Sequence, residues 1–96
     1  MINYKKIKTS HKSIETLVIK LQHKNLILLK GNKGYIMCGY LNLKTAEKFG
    51  EAAVVITGVS SIKEALKTNV HSLTSAAKKI GIRKGQPIAE VLKLLA

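Results

Sequence analysis

The chain has one cysteine, Cys38, in the run Ile36-Met37-Cys38-Gly39, and this thiol is the candidate catalytic nucleophile. A thiol attacks as its thiolate, which requires a nearby base, a cation or a helix N-terminus. His11, His23 and His71 are the possible bases, and none stands at a spacing that predicts contact with Cys38. The plainer reading is structural, because free cysteine is among the most buried residue types. Strand alternation puts Cys38 on one face with Ile36 and Tyr40. A pocket holding Cys38 beside a histidine or a cation favours an enzyme, and a dry, close-packed Cys38 favours a packing role.

Two glycine-bounded segments have the chemistry to hold an anion. Gly58-Val59-Ser60-Ser61 joins a strand to a helix start, where backbone N–H groups and the helix dipole favour negative charge. Gly81-Ile82-Arg83-Lys84-Gly85 sets two cations between glycines before another helix start. Ser60, Ser61, Arg83 and Lys84 are therefore the candidate anion-binding residues. Neither segment has the spacing of a Walker or dinucleotide loop, and capping and turn formation is the simpler account of both. Three scattered histidines, one cysteine and no aspartate give no zinc, magnesium or calcium ligand set, so no metal and no cofactor is expected. Five dispersed glutamates provide no carboxylate pair for acid–base work.

Lys+Arg number 17 against 5 acids, a net charge of +12. Such a surface attracts polyanions through charge alone. Arg83 is the one arginine, the aromatics are few, and no helix-turn-helix, RNA-recognition or zinc-finger pattern is present. Lysine-rich solubilisation accounts for the excess, and any nucleic-acid binding is expected to be weak, salt-sensitive and indifferent to sequence.

The elements that must position these residues follow from periodicity. Ile2, Tyr4 and Ile7 open an edge strand loaded with lysine, which discourages uncontrolled pairing. Residues 14–21 alternate, with Leu17, Ile19 and Leu21 on the apolar face. A turn at His23-Lys24-Asn25 leads to Leu26-Ile27-Leu28-Leu29, an apolar run expected to be buried on both faces, the second by another subunit. Gly31-Asn32-Lys33-Gly34 predicts a hairpin turn with glycines at positive φ. Tyr35–Leu41 follows as a strand in which Gly39 marks a bulge or a close approach.

The period then becomes helical. Asn42 caps a short helix carrying Leu43, Ala46 and Phe49 and stopped by Gly50. Residues 52–57 form a buried strand. Ser61 and Glu64 have capping-box spacing. Ser72 caps a helix ended by Gly81, and Pro87 opens a last helix with Ile88, Val91, Leu92 and Leu95 inward. Strands gather first and helices later, so the class is α+β: an N-terminal antiparallel β-region, then a mixed strand and short helices, in a single domain over residues 1–96.

The run from Gly34 to Leu41, with its Met-Cys-Gly core, resembles the signature of the YunC-like family, a bacterial and archaeal domain family of unknown function. Ala53–Val59, Ile62–Leu66, Ala76–Gly85 and Glu90 onward are similar to it as well. The resemblance implies an α/β domain whose N-terminal β-region mediates tetramer formation, and it implies no activity or cofactor.

The expectation is a homo-oligomer, a tetramer by the resemblance, acting as a binding or assembly module. An enzyme using Cys38 and a non-specific nucleic-acid binder are the alternatives. A single cysteine suits a reducing compartment. No apolar run reaches the ~20 residues of a membrane helix, and the first residues lack the apolar core of a signal peptide. The expected location is the cytoplasm.

Overall fold

Alternation in the first third of the chain produces a long hairpin. β1 (Ile2–Thr9) pairs antiparallel with β2 (Lys12–Lys20), from Ile2 opposite Ile19 to Thr9 opposite Lys12. β3 (Asn25–Lys30) extends the sheet with Leu17 opposite Leu28, and β4 (Tyr35–Met37) follows antiparallel. The structure, a computed structural model, describes residues 2–9, 12–39 and 42–96. His11, considered above as a base, and Tyr40 and Leu41, considered as strand residues, lie outside them.

After α1 (Leu43–Lys48), β5 (Ala53–Val55) runs parallel to β4, with Ile36 opposite Val54. α2 (Ile62–Ala65) leads to β6 (Ser72–Leu73), antiparallel to β5, and α3 (Ser75–Lys79) and α4 (Ile88–Leu95) complete one α+β domain. Among the described residues, six strands stand in chain order across a sheet with one parallel pair, β4 and β5.

One sheet face carries Ile14, Ile27, Leu29, Ile36 and Val54, and α2, α3 and α4 close over it through Ala65, Ala77, Ile88, Val91, Leu92 and Leu95. On the other face α1 packs Ala46 against Met37, Ala53 and Val55. The burial of β2 is therefore the reverse of the expected one. Ile14 and Thr16 point into the core and Leu17 and Ile19 are half-buried on the far face. Both faces of β2 carry apolar side chains, so alternation cannot decide which is inward; the helices decide it. Thr16 is accommodated because its hydroxyl donates to the Lys5 carbonyl at 3.1 Å.

Local rules set most boundaries. Asn42 Oδ1 accepts from the Lys44 N–H at 2.8 Å and starts α1. Phe49 falls just past the helix end and is 71% exposed rather than inward. α3 is capped by Thr74, not Ser72, which β6 has taken. The buried Thr74 hydroxyl accepts from the Ala53 and Ala77 N–H groups at 3.0 and 3.3 Å and donates to the Glu51 carbonyl at 2.7 Å. α3 ends with Gly81 at φ 102° and Ile82 donating back to Ala77 at 3.2 Å, a glycine C-cap with its apolar contact. Pro87 sits one residue earlier than expected, as the N-cap of α4.

Gly31 and Gly34 do form the β3–β4 turn, with the Gly31 N–H donating to the Gly34 carbonyl at 2.8 Å. Their φ angles are not positive, however, and close approach is what requires glycine there. A Cβ at Gly31 would collide with the Leu95 carbonyl, and one at Gly34 with the Ala52 carbonyl. Gly39 is the opposite case. It lies beyond the end of β4, and an added Cβ would meet nothing within 4 Å.

Candidate functional site

The parallel pairing of β4 and β5 sends both chains out of the sheet at the same end. Parallel strands characteristically place ligand sites outside their carboxyl ends, where the two chains diverge. Cys38 and Gly39 follow β4 there, and Ile56-Thr57-Gly58-Val59-Ser60 follow β5. The β2–β3 turn brings His23, Lys24 and Asn25 alongside. Together these ten residues line a cleft of about 660 Å³, within the range of small-molecule sites.

Hydrogen bonds fix the cleft's walls. Ile56 N–H donates to the Met37 carbonyl at 2.9 Å and ties the two strand ends together. Asn25 Nδ2 donates to the Ser60 carbonyl at 2.7 Å, joining the β2–β3 turn to the segment after β5. Gly58, at φ 72°, gives that segment its sharp bend.

Cys38 is 5% exposed, and its environment is polar as well as apolar. Its N–H donates to the Ile27 carbonyl at 3.2 Å, and its Sγ accepts from the Ile27 N–H at 3.4 Å. The sulfur thus takes a β3 donor that β4, having ended at Met37, no longer satisfies. On its other side Cys38 belongs to the cleft wall, in company with a histidine and a lysine. Of the possible bases, His23 lines the cleft. His71 lies elsewhere, its ring Nδ1 3.4 Å from Ser72 Oγ.

The anion candidates are distributed unequally. Ser60 is on the cleft wall, where its N–H and hydroxyl both donate to Glu64 Oε1, at 2.7 and 2.8 Å. The Ser60 N–H, then its hydroxyl, hold the Glu64 carboxyl below its ordinary value. Ser61 Oγ accepts from the Glu64 N–H at 3.2 Å, so the expected capping box closes with Ser60 in the second role. α2 is a single turn and contributes little dipole. Arg83 and Lys84 are exposed and outside the cleft lining. Their turn is internally bonded, with the Arg83 N–H donating to Gln86 Oε1 at 3.0 Å and the Gly85 N–H to the Val70 carbonyl at 2.9 Å.

Among the described residues no three His, Cys, Asp or Glu side chains gather closely enough to hold a metal ion. No helix in them is long and apolar enough to cross a membrane. Periodicity singled out Cys38 and Gly58–Ser61 separately. It missed their meeting, and it missed the contribution of His23, Lys24, Asn25 and Gly39, because both depend on β5 lying parallel beside β4. The one local signal was a glycine shortly after each strand end, Gly39 beyond Met37 and Gly58 beyond Val55.

A model of a domain of unknown function, DUF1805, matches residues 37–95. The chain is 31% identical over 96 residues to the uncharacterized protein YunC of Bacillus subtilis (strain 168), covering 96% of this chain and 95% of that protein. Its fold is similar to the crystal structure of a protein of unknown function, TA1206, from Thermoplasma acidophilum, with a TM-score of 0.96 and 33% identity over 100% of this chain and 94% of that one. The matched segment opens at Met37, immediately before Cys38, and runs through the whole β5 side of the cleft, and the chain belongs to the DUF1805 family.

Proposed function

We propose that the protein is a small-molecule binding module whose site is the Cys38 cleft, with the thiol as the group that acts on the bound molecule. The observation that carries this reading is the position of the cleft, at the carboxyl ends of the parallel pair β4 and β5 and with Cys38, His23 and Lys24 all in its lining. A thiol meant only for packing has no need of a cleft of ligand size next to it. The experiment is to follow the backbone amides by NMR while a set of small polar fragments is titrated to millimolar concentration. Shifts concentrated on Gly39, Gly58 and Val59 support the reading. Shifts scattered over the surface, or absent from these three, count against it.

A separate observation favours assembly. On the sheet face that α1 covers only in part, Tyr4, Leu17 and Leu28 stand in one register row, and Ile2 lies opposite Ile19. Ile2 is 65% and Tyr4 53% exposed, while Leu17, Ile19 and Leu28 are half-buried. The apolar face left open is the one that the N-terminal strands would bring to a partner copy, and the proposed state is a cytoplasmic homotetramer built through β1–β3. Light scattering at micromolar concentration checks it. Leu28→Lys places a charge in the proposed interface and is expected to release smaller species that stay folded. A monomer mass for the unaltered protein at every concentration contradicts assembly without touching the cleft.

A further inference from the structure

We infer that the Cys38 cleft selects small anionic ligands, a carboxylate or a molecule of like charge and size, through Lys24, His23 and the backbone donors of the segments that follow β4 and β5. This inference rests on the small-molecule reading of the cleft and adds the class of ligand. Four lining residues, Gly39, Thr57, Gly58 and Val59, have backbone N–H groups without a protein acceptor among the described residues, whereas the neighbouring N–H groups of Cys38, Ile56 and Ser60 are all engaged. Successive free N–H groups on a bent, glycine-containing segment form a concave donor surface suited to an anion.

The side-chain charge in the lining has one sign. Among the described residues, Lys24 and His23 are its only titratable groups besides Cys38, and no carboxylate belongs to it. The nearest acid with a defined bond to the wall is Glu64. Its Oε1 is occupied by Ser60 at 2.7 and 2.8 Å, which shows that donors of this segment accept a carboxylate. Ile56 and Val59 supply the apolar part of the wall, so a short aliphatic body carrying one negative group matches the whole lining.

Two alkylating reagents of nearly equal size differ in the property at issue. Iodoacetate is an anion and iodoacetamide is neutral. With each, the Cys38 thiolate attacks the methylene carbon, a C–S bond forms, the C–I bond breaks, iodide departs and the thiol proton has gone to solvent. The quantity read is the ratio of the two rates at Cys38, in the native protein and in the same protein unfolded in urea. The unfolded chain corrects for reagent reactivity and for the overall +12 charge. The native ratio of iodoacetate to iodoacetamide is expected to exceed the unfolded ratio by roughly threefold to tenfold at low salt, the range of one nearby cation partly screened by water. Lys24→Gln should return it toward the unfolded ratio. Lys93→Gln, which removes the same charge from the exposed side of α4, should leave it in place. If both reagents modify native Cys38 at the unfolded ratio, or if Lys93→Gln lowers the ratio as much as Lys24→Gln, anion selection is wrong and the cleft remains a site. If neither reagent reaches native Cys38 although both modify the unfolded chain, the thiol does not face an accessible cleft, and the binding-site reading fails together with the inference.

Discussion

The N-terminal hairpin and the body that follows it treat the same kinds of residue differently. In β1 the side chains from Ile2 to Lys8 are exposed except for half-buried Ile7, and the apolar members Ile2 and Tyr4 stand open to solvent. In and just after β5 four consecutive residues, Ala53 to Ile56, are buried, because helices cover both faces of the sheet there. The body closes its own core, and the hairpin leaves half of a face unfilled. The DUF1805 match falls on residues 37–95, the part that carries the helices closing the core, Cys38 and the β5 side of the cleft. A region that completes its own packing can hold a site rigidly. A region that leaves apolar surface open gains by covering it with a second copy.

Truncating one apolar side chain in each region is expected to separate the two most strongly. Leu95 is fully buried beneath the β3–β4 turn, and Leu95→Ala is expected to lower unfolding stability by about 2–5 kcal/mol. Tyr4→Ala, measured on the dissociated Leu28→Lys background, is expected to stay within about 0.5 kcal/mol. Urea unfolding at fixed protein concentration gives both values, and equal losses would remove the distinction between body and hairpin.

A smaller effect tests how the body joins its last strand to α3. Thr74→Val keeps the shape and deletes the hydroxyl that serves Ala53, Ala77 and Glu51. The expected loss is about 1–3 kcal/mol, set by the buried groups left unpaired. It is read by the same unfolding measurement, and a neutral outcome would mean that the surrounding backbone repairs those bonds.

Acid provides a milder probe. The N–H and then the hydroxyl of Ser75 hold the Glu47 carboxyl below its ordinary 4.5, at 3.0 and 2.9 Å. Its folded value is therefore the lower one. The stabilisation is complete above the unfolded value and is lost as pH falls through the folded value. Glu64 behaves in the same sense through Ser60. Glu47→Gln is expected to flatten the stability profile below about pH 4.5 and to leave it unchanged in alkali, as thermal melts across pH would show. Tyr35 titrates at the other extreme. Partial burial, then its 2.7 Å bond to Glu51, push it up to about 12.

The smallest effect expected is on nucleic acid. Lysine excess without a reading motif predicts weak binding of unrelated duplexes alike, lost between low and moderate salt. One sequence held tightly at high salt would overturn that.

Much of the body was legible because short-range rules govern it. Asn42, the Ser61–Glu64 spacing, Gly81 and the stripe of Ile88, Val91, Leu92 and Leu95 each act within a turn or two of chain. The inward face of β2 was not legible, since Ile14 and Leu17 are equally apolar and the choice belongs to helices some fifty residues or more away. Ser72 was expected to cap α3, and Thr74 takes that place because β6 claims Ser72. Gly31 and Gly34 looked like turn glycines, although what requires them is the backbone of Leu95 and Ala52. The cleft was half legible. Cys38 and Ser60 drew attention through their local runs, and only the parallel register of β4 and β5 brings them to one wall.

Gly39 gives the most direct access to the Cys38 cleft, because an added side chain there meets open space and its φ is ordinary. Gly39→Leu should fill the cleft from the wall next to Cys38, with Gly39→Ala as the fold control. The measurement is the alkylation rate of native Cys38 by iodoacetamide, alongside the melting temperature. Gly39→Leu is expected to slow alkylation by roughly tenfold or more while both variants melt close to the unaltered protein. An unchanged rate in a folded Gly39→Leu protein would show that Cys38 is reached by a route other than the cleft, and would contradict its place in the site.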